Sequence, residues 1–129
     1  MRRQQGRSTD ALTLLATCQE IFRSIGSSGY AAYTDLVIGI LRHERGEYEQ
    51  ATEHLQRALA FARTLGDPRW EAYGLLNLGI TAHARGAYEE ACQHPEQSLI
   101  MFEQVGDRHG ASRARQVIAG LRERATGGP

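Results

Sequence analysis

Lysine is absent from this chain. All 15 basic residues are arginine, set against 15 acidic ones, so the formal charge is zero. An even balance with scattered arginines gives no electrostatic footprint for nucleic acid or an anionic membrane. Neither is expected as a direct partner. Arginine in place of every lysine reads as the codon bias of a high-GC, actinobacterial type of genome. Only two cysteines occur, Cys18 and Cys92, too few for a disulfide framework and suited to a reducing cytoplasm. No apolar run approaches the ~18 residues of a membrane span. The basic start, Met1 to Arg7, is not followed by a continuous apolar stretch, so no secretory signal is read there.

Proline occurs only at 68, 95 and 129, and no segment alternates as a strand does. Catalytic signatures are missing as well. The serines of Gly26-Ser27-Ser28-Gly29 lie in a loop with no nucleophile-elbow pattern. Cys92 and His94 share a helix but point about 200° apart, which suits them poorly to nucleophile activation. No glycine-rich phosphate loop is present. His43 and His83 supply two ligands where a zinc site wants four. No catalytic residue, metal or cofactor is therefore assigned, and the chain is expected not to be an enzyme.

A repeat is present instead. Gly26, Gly66 and Gly106 are spaced by 40 residues, and 26–65 laid on 66–105 without a gap gives 14 identities in 40 positions. They include Ala32/Ala72, Tyr33/Tyr73, Leu36/Leu76, Gly39/Gly79, Ile40/Ile80, His43/His83, Gly46/Gly86, Tyr48/Tyr88, Ala51/Ala91 and His54/His94. Self-similarity at such a period marks a stacked-repeat architecture. The apolar spacing predicts six helices: 10–25 capped by Asp10, 29–45, 48–65, one from Asp67-Pro68 to Arg85, 88–105, and 108–124 capped by Asp107. Residues 1–9 read as a flexible start, 10–124 as one helical-repeat domain with units 26–65 and 66–105, and 125–129 as a disordered tail. Connections of two to four residues force neighbouring helices antiparallel. Pro95 falls where the first unit has Leu55, and a proline inside a helix predicts a kink or break near Ala91–Pro95.

The unit resembles the tetratricopeptide repeat. Leu75-x2-Leu78-Gly79-x2-Ala82, Gly86-Ala87-Tyr88 and Ala91-x3-Pro95 follow that family's pattern. Asp35-x2-Ile38-Gly39-x2-Arg42, Gly46-Glu47-Tyr48 and Ala51-x3-Leu55 do so in the first unit. The period of 40 exceeds the family's usual 34 or so. The longer unit is similar to repeats in large bacterial transcription activators, including actinobacterial ones. The resemblance implies an all-α, short right-handed superhelical stack of antiparallel helix pairs.

It also implies that the first helix of each unit lines a concave groove. By position that groove holds Tyr33, Leu36, Ile40, His43 and Glu44 from unit one. Unit two adds Tyr73, Leu76, Asn77, Ile80 and His83. Leu36, Ile40, Leu76 and Ile80 can equally be inter-helix packing. The family's carboxylate clamp is not expected, because no lysine exists and Val37 stands opposite Asn77. The function read from this is a non-catalytic scaffold in bacterial regulation that binds a protein or peptide partner. A homo-oligomer is compatible with the exposed repeat ends. The alternative is a small-molecule receptor or accessory protein of a biosynthetic pathway using the same groove.

Overall fold

The computed structural model describes residues 2–24, 26 and 28–127. Six helices follow in order: α1 (Arg2–Ser24), α2 (Ser28–Glu44), α3 (Tyr48–Leu65), α4 (Pro68–Ala84), α5 (Tyr88–Val105) and α6 (Arg108–Gly127). Glycines with positive φ stand at 26, 46, 66, 86 and 106, one every 20 residues. Each ends a helix in the left-handed region, where a side chain would be strained. The chain then turns within two or three residues, so successive helices lie antiparallel. Asp67 accepts from Trp70 N at 3.3 Å with Pro68 opening α4, and Asp107 accepts from Gly110 N at 2.9 Å. Both caps match the sequence expectation.

The observed helix bounds differ from the expected ones at both ends of the chain, and the expected break at Pro95 does not occur. Helix α1 begins at Arg2, so Asp10 lies within it and does not cap it. Helix α6 continues to Gly127, which overlaps the expected tail, while residues 128 and 129 lie outside the described residues, as does Ile25. Helix α5 runs unbroken through Pro95. The proline ring is buried against Gly79, where an added Cβ would stand only 2.5 Å from Pro95 Cδ. Leu55 sits on Gly39 in the same way, 2.7 Å from such a Cβ. Packing on a glycine thus offsets the amide that proline lacks, and the helix continues through it.

Each helix packs on the next, and α4 also approaches both α2 and α6. No such approach joins α1, α3 and α5 among the described residues. The even helices are therefore the closer-spaced layer, which places them on the inside of the curve. Two apolar clusters fill the stack. Leu36, Leu55, Leu59, Leu75 and Leu78 form one, and Leu76, Phe102, Ala72, Ala111 and Ala114 form the other.

One charge is buried in unit one. Asp35 accepts from His54 Nδ1 at 3.0 Å and lies 3.9 Å from the Arg57 guanidinium. Burial pushes its carboxyl up, but hydrogen bonding from His54 and Gln19 and the charges of His54 and Arg57 outweigh that and hold it below its ordinary value. The stabilisation is fully present above the unfolded value of 3.8 and is lost as pH falls through the lower folded value.

Two tests of this packing follow. Gly39→Ala should destabilise the chain by about 1–3 kcal/mol through overpacking, whereas Gly120→Ala, which meets nothing within 4 Å, should stabilise it by about 0.5–1 kcal/mol. Urea denaturation of both variants checks this, and equal effects would contradict the contact. Asp35→Asn should cost about 1–3 kcal/mol at neutral pH and flatten the acid side of the stability curve. An unchanged acid limb would count against the buried ion pair.

Candidate functional site

The side chains expected to line one groove divide into buried, tied and free groups. Leu36 and Leu76 are core residues, and Ile40 and Ile80 pack half-buried against the same clusters. Tyr73 stands edge-on to Phe102 with ring centroids 4.8 Å apart, and its hydroxyl donates to Asp107 Oδ2 at 3.3 Å. Burial and then the Asp107 charge push the Tyr73 hydroxyl pKa up. Asp107 is itself held low, chiefly by the Gly110 amide and also by Arg69 and Tyr73. Asn77 turns back along its own helix, donating to Tyr73 O at 2.9 Å.

The two recurring imidazoles are ties between successive even helices. His43 Nδ1 lies 3.1 Å from Thr81 Oγ1, joining α2 to α4. Burial lowers its pKa against the opposing charge of Glu44. His83 Nε2 lies 2.8 Å from Arg124, joining α4 to α6. A guanidinium can only donate, so this nitrogen accepts. Each ring also leans on the tyrosine that follows the next turn: His43 on Tyr48 at 5.2 Å and His83 on Tyr88 at 5.6 Å. Of the ten expected residues, Tyr33 and Glu44 remain openly exposed.

Tyr33 opens onto the feature that the sequence did not reveal. A hollow of about 450 Å³ lies between the first turns of α2 and α4, against the last turns of α3. Its walls include Tyr30, Tyr33, Phe61, Ala62, Leu65 and Trp70 and are almost wholly apolar. Tyr33 and Trp70 meet edge-on across it, with centroids 5.1 Å apart. This volume falls within the range of ordinary ligand pockets. A trace of it is present in the repeat alignment. Ala62 stands where unit two has Phe102, and Trp70 stands where the next unit has Gly110. Large and small residues have changed places, and the exchange leaves space.

A second, more polar hollow of about 280 Å³ lies between α3, α4 and α5 and includes Arg63, Arg85, Glu90 and His94. His54 has Asp35 as its partner, but the position equivalent to Asp35 in unit two is Leu75. His94 Nδ1 is consequently buried without a hydrogen bond, and burial lowers that ring's pKa. Both cysteines are free. Among the described residues no His, Cys, Asp and Glu group could hold a metal ion, and no helix is long and apolar enough to cross a membrane.

Comparison with known proteins fits this geometry. Residues 1–64 match the family model described as tetratricopeptide repeat. No curated protein matches the chain. The match stops near the end of α3, yet 66–105 keeps the same turns, the same helix lengths and the same side-chain-on-glycine packing. The sequence match over the first half and the continued stack of hairpins over the second together support a tetratricopeptide-repeat family for this chain.

Proposed function

We propose that this chain is a non-catalytic interaction module that docks a protein or peptide partner on the inner layer of α2 and α4, at the end where Tyr33 is exposed. Tetratricopeptide repeats generally mediate protein–protein interaction. The observation that carries the reading is the hollow beside Tyr33, open to solvent and almost wholly apolar where the other hollows are more polar. Apart from Glu44, the other side chains of the expected groove are buried or engaged within the fold, which points recognition to this end. The hollow's volume also admits a second reading, a small apolar ligand.

The setting proposed is regulation in the cytoplasm of a bacterium. Two unpaired cysteines, the all-arginine basic set and the similarity of the 40-residue unit to repeats of bacterial activators support it. Self-association is part of the proposal. Leu14 and Ile21 are both more than half exposed and sit seven residues apart on α1, so they share one helix face.

Peptide display against the purified chain should select binders, and Tyr33→Ala should weaken them by about 10-fold, as loss of an interface aromatic does, with unchanged helical circular dichroism. A library that yields no binder, or binders indifferent to Tyr33, would sink the reading. Sedimentation equilibrium should show a dimer that Leu14→Glu dissociates, and a monomer throughout would remove the self-association.

A further inference from the structure

The repeat supplies an internal control for the hollow. In unit two the corresponding space is occupied by the chain's own aromatic ring. Phe102 is fully buried, stands edge-on to Tyr73, and lies so close to Gly110 that an added Cβ there would meet the ring at 2.4 Å. In unit one the residue at the Phe102 position is Ala62, and the tyrosine equivalent to Tyr73 is Tyr33. Tyr33 has lost its α3 ring partner and leans on Trp70 across the gap. Trp70 replaces Gly110 and compensates only in part, since about 450 Å³ stays open.

Charge beside the hollow narrows the occupant further. A neighbouring hollow shares Ala32 and Phe61 with it and has Arg23 and Arg57 in its wall. Its one carboxylate, Asp35, is already engaged by His54 and Arg57. Arg23 makes no ion pair among the described residues, and Arg57 is more than half exposed. The wall of that hollow thus carries two guanidinium groups against one carboxylate, a local positive excess in a chain that is neutral as a whole.

We propose that the hollow between α2, α3 and α4 seats an aromatic side chain from a protein partner, flanked in that partner by acidic residues. The ring lies over Ala62 beside Tyr33 and Phe61, displaced from the Phe102 position by the Trp70 side chain that replaces Gly110. The flanking carboxylates meet Arg23 and Arg57. This rests on the interaction-module reading above and adds the chemistry of the anchor.

The test uses an acetylated, amidated pentapeptide Glu-Glu-Phe-Glu-Glu and two counterparts, one with Ala for Phe and one with Arg for every Glu. Trp70 is the only tryptophan, so its single indole N–H resonance reports on the hollow. The Phe–Glu peptide should shift it saturably. The Ala peptide should bind at least about 10-fold more weakly, and the Arg peptide about 3- to 10-fold more weakly. Equal binding by either counterpart overturns the proposal.

The exchange Ala62→Phe with Trp70→Gly rebuilds unit two's packing in unit one. It should keep the helical signal and abolish saturation transfer to the peptide's ring protons. Leu65→Ser, at an exposed wall position, serves if that double variant fails to fold, and should weaken binding about 3-fold. Full binding in a folded variant of either kind overturns the proposal. Free 3-phenylpropionate binding as tightly as the pentapeptide also overturns it, in favour of a small ligand. Displayed peptides that bind through Tyr33 but lack an aromatic anchor would end this inference while leaving the interaction module standing.

Discussion

The stack depends on large side chains of one helix resting directly on glycines of its neighbour. Leu55 on Gly39, Pro95 on Gly79 and Phe102 on Gly110 are three instances of one contact, each closer than any Cβ would allow. This approach brings the backbones of paired helices near enough for a single layer of Leu and Ala to fill the space between hairpins. It is also the contact that makes a proline tolerable. At Pro95 the ring fills the site that Leu55 fills in unit one, so the packing term survives although one helical amide is missing. Close packing of this kind tolerates a change of shape better than a change of volume.

Volume is what differs between the units. The pair Phe102 and Gly110 encloses an aromatic ring completely. The pair Ala62 and Trp70 carries comparable bulk on the opposite helix, and the tryptophan leans on Tyr33 instead of into the gap. Two copies of nearly the same hairpin therefore have different roles. Unit two, with Tyr73 tied to Phe102 and Asp107, is closed and joins α6. Unit one keeps an apolar opening beside exposed aromatics. The tyrosines recur at the same repeat position, yet one is a packing residue and the other is available.

Much of the architecture was legible because local rules and stacking rules agreed. The glycines at 46, 66, 86 and 106 and the caps Asp67 and Asp107 are decided within a few residues, and the sequence places them correctly. Helix α1 was read too short because the polar residues before Asp10 lack apolar periodicity, and helix continuity there does not need it. The sequence predicts a kink or break at Pro95 because the cost of proline is local, while the Gly79 contact that lets the helix continue lies 16 residues away. The groove was legible as a helical face but not as a surface. Spacing puts Tyr33, Leu36, Ile40 and His43 on one side of α2. It does not say that Leu36 is covered by the core or that His43 is bonded to Thr81.

That last distinction bears on how such a module can vary its ligand without losing its fold. The tied residues are connected across units. His43 reaches Thr81, His83 reaches Arg124, and Tyr73 reaches Asp107, so each also fixes the spacing of the even helices. Changing any of them alters the curve along with the surface. Ala62, Leu65 and Trp70 sit where one hairpin hands over to the next, and differences there alter a single hollow while the glycine contacts remain. The proposed recognition hollow thus lies at the positions that the stack constrains least. On the proposed reading, the imperfect half of the repeat alignment, more than its identities, is where this chain would carry its specificity.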